Sequence, residues 1–599
     1  MPPPPAAPTR YRVAALDPHA HLYEVGVTVD APDPAGQRFE LPTWIPGSYL
    51  IREFARHFVS VRATCAGAEV AIAKTAKNAW RAAPCVGPLT VVAVVYAYDL
   101  SVRAAYLDGT RGYFNGPSLF LLPVGRGDAR CTVELVAPAG AAYAGWRVAT
   151  TMPSDGAPPY GFGAYCAASY DELIDHPVET ADFALATFDA GGVPHDVAVT
   201  GRQDADLARV ARDLARVCQW QLDLFGGAPF ARYLFQVMVV GDGYGGLEHR
   251  ASTSLVARRD ELPSAGADGI DDPYLNFLGL ASHEYFHVWN VKRIKPAAFT
   301  PYDLARENYT RQLWAFEGFT SYYDDLALVR CGLIAPERYL QLLGRTITTV
   351  LRGPGRAVQS LADSSFDAWI KYYRQDENSP NAVVSYYAKG ALVGCALDLT
   401  LRRDGRATLD DLMRALWQRY GRTGTGVPED GIARLASELA GRDLSEFFAR
   451  YVDGTDDVPL ADALREFGIT LHLRPAAGTT DKGGKPGDGT PPRCTLGVRI
   501  GGDSRLTAVL RGGPAADAGL SAHDTLVAVD GLKATPERLA TLLGRKRPGD
   551  TVAIHAFRRD ELMAFTAVLA APPPDTCYLT LDDAPAADVE ARRTAWLRG

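Results

Sequence analysis

The stretch HEYFHVWNVKRIKP, residues 283–296, decides how this chain is read. His283 and His287, four apart on a helix, project from one face and can grip one zinc ion through imidazole nitrogens. Glu284 then lies beside the same metal. From there its carboxylate can take a proton from a water that the metal activates, the general-base role of peptide hydrolysis. The helical pattern covers 276–291, and Leu278, Leu280, Phe286 and Trp289 predict that it is buried. Unsatisfied imidazoles would be costly in such a place.

A catalytic zinc takes three protein ligands and keeps a position open for water. The next helical stretch, 310–328, carries Glu317 inside WAFEGFTSYY (314–323). A carboxylate flanked by aromatics is poorly solvated without a cation, so Glu317 is the expected third ligand of one catalytic zinc. Asp303 and Glu307 compete by distance along the chain, in more polar surroundings.

With 599 residues, the chain exceeds what one hydrophobic core can hold. Its 47% hydrophobic and 22% charged residues are ordinary for globular domains. A net charge of -8 without a dense basic stripe offers nucleic acid no footprint. No apolar run reaches membrane-spanning length, and MPPPPAAPTRYRV lacks a basic start followed by an apolar stretch. The nine cysteines are scattered without CxxC spacing and read as buried free thiols. No membrane and no nucleic-acid partner are therefore expected, and a cytoplasmic location is, although a chain trimmed of a periplasmic signal would look the same.

Residues 1–187 alternate apolar and polar in short runs, as in 21–29 and 89–98, which predicts an all-β sandwich. WIPGSY (44–49) reads as a Pro-Gly turn with two packing aromatics. Beyond it, 188–474 turns α+β and then helical, with a buried strand over 233–240 and helices over 204–225, 384–401 and 409–420. The stretch 475–492 is rich in Gly, Pro and charge and reads as a flexible linker. A compact module over 493–575 and a tail over 576–599 complete the chain.

The zinc motif and Glu317 resemble the thermolysin-like (gluzincin) zinc peptidases. TWIPGSYLIREFARH (43–57), GGLEH (245–249), HEYFHVWNVKRIKP (283–296) and FEGFTSYYDD (316–325) together resemble the glycyl aminopeptidase family that carries a C-terminal PDZ domain. The resemblance implies an N-terminal β domain, a thermolysin-like catalytic domain with a helical continuation, and a PDZ domain. It implies zinc-dependent removal of N-terminal residues, small ones such as Gly or Ala, from peptides with a free N-terminus. Related aminopeptidases use the glutamate of a GxMEN segment to hold the α-amino group, which maps onto Glu248, with Gly245 and Gly246 allowing close backbone approach. His249 stands where those relatives have Asn. YYAKG (386–390) is similar to their Tyr-x-Lys-Gly segment, whose Tyr donates to the scissile carbonyl; Tyr387 is the candidate and Tyr386 its competitor. Twenty-nine residues separate His287 from Glu317, a longer loop than is usual in that group, and Lys292–Pro296 within it are expected to shape the substrate entrance.

In the module, CTLGVRI (494–500) and GPAADAGL (513–520) resemble a PDZ domain, with Leu496, Gly497 and Val498 as the loop for a peptide carboxylate. It either binds a peptide C-terminus or braces the catalytic domain. The same residues would also serve a zinc endopeptidase in which Glu248 merely lines the cleft. An inactive PDZ scaffold is the third reading.

Overall fold

A computed structural model describes residues 7–487, 489 and 491–599. The chain divides into two compact units: Met1–Asn308 with Trp417–Gly426, and Tyr309–Leu416 with Val427–Gly599. No helix among the described residues is long and apolar enough to cross a membrane.

The first unit begins with a β-sandwich. Its seven-stranded sheet runs in the order Gly163–Ala167, Cys131–Val136, Thr9–Asp17, Leu22–Val29, Leu89–Tyr96, Phe58–Cys65, Ala68–Val70. Period-two burial drives it: along Leu22–Val29 every second side chain, Val25, Val27 and Val29 included, turns into the core. Two four-stranded sheets complete the layers, and Tyr11, Phe39, Trp80, Phe114 and Phe120 belong to the common core.

A five-stranded sheet follows, ordered Ala184–Ala190, Val193–Thr200, Tyr233–Val240, Ser252–Arg258, Gly245–Glu248. Tyr233–Val240 lies parallel to both of its neighbours and is almost wholly buried, which is why its sequence is continuously apolar. Ala149, Ala181, Phe183, Ala198 and Leu234 form a small shared core, and Gln236 donates to the carbonyl of Ala149 at 2.7 Å. These contacts join sandwich and sheet within the first unit.

The motif helix is Asp272–Phe286, opened by Asp271, whose side chain accepts from the amide of Tyr274, with Pro273 in the first turn. It stops five residues short of the expected 291. Val291 has φ +114°, a reversal after which Lys292 reaches Asp175 at 2.7 Å.

In the second unit, helices Gly318–Arg330 and Ala388–Asp404 approach so closely that a Cβ on Gly318 would fall 2.5 Å from the Cα of Gly390. Beneath them Tyr322 donates to Asp398 and Tyr323 to Asp410, each at 2.7 Å, and Arg330 and Arg402 neutralise both carboxylates. Residues 576–599, expected as a tail, instead form strand Thr576–Leu581, paired with Ile469–Arg474, and helix Ala587–Arg598. Trp596 of that helix is fully buried and donates to Tyr322 at 2.7 Å. Residues 488 and 490 of the expected linker lie outside the described residues. Part of the remainder is tied down: Asp481 pairs with Arg474 at 2.6 Å and Gly484 donates to the carbonyl of Cys577 at 2.7 Å. Residues 494–569 have their own core around Leu506, Leu526, Val529, Ile554 and Ala556.

Candidate active site

Strand Gly245–Glu248 is the last of its sheet and pairs antiparallel with Ser252–Arg258, Gly246 opposite Leu255 and Glu248 opposite Thr253. Side chains two apart share a face, so Gly246 and Glu248 point the same way. The Glu284 carboxylate occupies the space a Cβ on Gly246 would need. Any side chain there would displace the expected general base. Glu248, Glu284 and His287 are all buried and each offers a ligand atom within 4.8 Å of the others.

His283 and His287 stand with ring centroids 4.7 Å apart and their Nε2 atoms 3.1 Å apart. The Nδ1 of His287 lies 2.6 Å from the carbonyl of Asn290, so that nitrogen carries the proton and Nε2 presents its lone pair. Two facing imidazole nitrogens suit either one shared cation or a single His–His hydrogen bond. Among the described residues, Asp303 and Glu307 join no cluster of three possible metal ligands. The Asp303 carboxylate is taken by Arg306 at 2.6 Å and by the amide of Ala305.

In the second unit Glu317 is buried between helices Leu313–Phe316 and Gly318–Arg330. Tyr387 opens helix Ala388–Asp404, and its hydroxyl lies 3.2 Å from that of Tyr373. Burial, and next the Glu317 carboxylate, push its phenol well above the usual range. It therefore stays protonated and can donate. Tyr386, stacked on it, is fully buried, whereas Tyr387 keeps some exposure, which favours Tyr387 as the donor.

Residues 276–393 match the family model for the M61 glycyl aminopeptidase, and residues 10–182 match that for the M61 N-terminal domain. A crystal structure of an aminopeptidase N family protein from Idiomarina loihiensis is 40% identical, covers 98% of this chain and 100% of its own, and superposes with a TM-score of 0.94. The chain belongs to the M61 glycyl aminopeptidase family. An M1 zinc metallopeptidase from Deinococcus radiodurans, a mutant form bound to a Tyr-Ser-Ala substrate, is 12% identical over 73% of this chain and 91% of its own, with a TM-score of 0.45. The comparison with curated proteins yields no match.

Two features of this M61 chain escaped the sequence reading. WIPGSY is a turn with buried Trp44 and Tyr49, as expected, but Gly47 also lies against Glu248. Its φ is +95°, and a Cβ there would fall 2.5 Å from both carboxylate oxygens. The turn is held from below, where the Trp44 indole donates to the carbonyl of Asp303 at 2.8 Å and Tyr49 stacks on Phe299. Arg103 is the second, reaching from the sandwich to the carbonyl of Gly246 at 3.2 Å. Some two hundred residues separate Gly47 from Glu248, and no local pattern announces either contact.

The loop after the motif behaves differently from the expected entrance. Lys292 is buried in an ion pair with Asp175, and His249 lies 3.5 Å from the same carboxylate. Against the cost of burial, Lys292 and Arg250 hold Asp175 well below the usual carboxylate range. Burial drives His249 down, so it is neutral near pH 7. Lys295, over the Tyr302 ring, is pushed down to about 8 by burial and by Arg250. The loop is a buried anchor for its own unit.

Proposed function

We propose that this chain is a zinc-dependent aminopeptidase that removes small N-terminal residues, Gly or Ala, from peptides with a free N-terminus. The observation that carries the reading is the buried meeting of Glu248, on an edge strand, with Glu284 and His287 of the motif helix. Such a carboxylate beside a metal motif suits an α-ammonium ion, and an endopeptidase has no need of it.

His283, His287 and Glu317 would hold one zinc ion. The donor set fits, because the His287 tautomer leaves the lone pair on Nε2, 3.1 Å from the Nε2 of His283, and the third ligand is a buried carboxylate. A zinc ion at these residues would supply Lewis-acid polarisation of the attacking water and the scissile carbonyl. Glu284 takes the proton from that water and passes it to the leaving amine. Glu248 accepts from the substrate α-ammonium and fixes which bond is presented. The phenol of Tyr387 donates to the oxyanion as charge develops on it.

The module over 493–575 reads as a PDZ domain whose Leu496, Gly497 and Val498 would receive a peptide carboxylate. Gly497 already donates its N–H to Thr495 Oγ1 at 3.0 Å. Asn381 is hydrogen-bonded to the carbonyl of Val509 and the amide of Arg511, each at 2.9 Å. Both features favour bracing over peptide capture.

The ligand assignment is tested by metal analysis. His283→Ala, His287→Ala and Glu317→Ala should each lose zinc, because even residues behind the ligands cost about 10–100-fold in affinity. Stoichiometric, tightly bound zinc in Glu317→Ala would strike that ligand from the set.

A further inference from the structure

Gly245–Glu248 is an edge strand, and its register fixes what lies along that edge. His249 donates to the carbonyl of Ser252 at 2.9 Å, closing the turn into the strand pair. Backbone groups alternate along an antiparallel pair, so Leu247 and Gly245 bond toward the neighbouring strand. Gly246 and Glu248 direct their N–H and C=O groups to the outer edge. An extended peptide with its amine at Glu248 would run along this edge, antiparallel to the strand, toward Gly246 and Gly245.

Arg103 stands in that path. Its Nη2 donates to the carbonyl of Gly246, and its Nη1 lies 3.5 Å from where a Cβ on Gly245 would be. The segment that carries it is rigid: Val102 and Ala104 are buried on either side, and the carbonyl of Val102 accepts from Tyr113 and Asn115. Among the described residues Arg103 forms no ion pair, and its buried Nε has no hydrogen-bond partner. The neighbouring Arg111, by contrast, is neutralised by Glu179. A guanidinium carries five donors in a fork matched to a carboxylate, and one carbonyl leaves both its charge and its fork unused.

The spacing identifies the missing partner. Strand rise is about 3.3 Å per residue, so Gly246 is about 7 Å and Gly245 about 10 Å along the strand from Glu248. A dipeptide in extended form places its carboxylate about 7 Å from its amine. We propose that Arg103 binds the C-terminal carboxylate of the substrate, so that dipeptides are the preferred class. The inference rests on the aminopeptidase reading, and above all on Glu248 as the amine anchor.

The test compares Gly-Leu with its C-terminal amide and with N-acetyl-Gly-Leu, on wild type, Arg103→Met and Arg103→Lys. Wild type should favour the free acid over the amide by about 10–100-fold in kcat/KM, chiefly through KM, as expected for one charge-assisted contact. Arg103→Met should bring the acid down to the level of its amide, and Arg103→Lys should restore part of the difference. Equal rates on acid and amide by wild type overturn the proposal, and this result needs no variant to fold. A loss of the same factor on both substrates in Arg103→Met also overturns it, since Arg103 would then be serving the peptide backbone or the fold. Cleavage of acid and amide alike, with the acetylated peptide inert, leaves the aminopeptidase reading standing while this one falls. Equal cleavage of acetylated and free peptides removes both.

Discussion

Glu284→Gln should retain one zinc per chain and lose about 10²–10⁴-fold in kcat, because the ligands are untouched while the proton acceptor is gone. The variant is a fair one. Glu284 is packed against Gly246, and the amide has nearly the same shape, so the helix and the edge strand keep their contact. Metal analysis and steady-state rates on one preparation check both halves of the expectation. Near-normal turnover by the zinc-loaded variant would take the general-base role away from Glu284.

Glu248→Ala should show its effect in the comparison of two substrates. Wild type is expected to cleave a free-amine glycyl peptide far faster than its N-acetylated form. The variant should lose about 10–100-fold on the free amine, the worth of one charge-assisted bond in a water-poor site, and almost nothing on the acetylated peptide. The two losses overlap because they remove the same contact. Equal slowing on both substrates would mean that Glu248 supports the neighbourhood without reading the amine; Gly47, whose Cβ position abuts the carboxylate, makes that alternative a concrete one.

Much of this was legible in the chain itself, for identifiable reasons. The motif helix announces itself through local spacing, and the sandwich through period-two burial of the kind seen at Val25, Val27 and Val29. The apolar run 233–240 betrays a strand buried on both faces. Gly246 also leaves room for the Glu284 carboxylate, a contact between strand and helix that no local pattern shows. The contacts of Gly47 and Arg103 were illegible because they depend on how the sandwich packs on the following sheet, a long-range matter that leaves no local period. Lys292 and Lys295 look like an exposed basic loop until Asp175 and Tyr302 are seen around them. Residues 475–487 and 576–599 are less legible for another reason. Composition says whether a segment can form a core alone, and these segments are held by partners elsewhere, Asp481 by Arg474 and Trp596 by Tyr322.

The central claim, a single-zinc aminopeptidase, meets its most direct test in a metal titration. The full chain is stripped with a chelator, zinc is returned in sub-stoichiometric steps, and cleavage of a free-amine glycyl peptide is followed beside that of its N-acetylated form. The account predicts no cleavage by the stripped protein, recovery that saturates at one zinc per chain, and recovery confined to the free-amine peptide. Activity that survives exhaustive chelation, or that returns equally on the acetylated peptide, would contradict it.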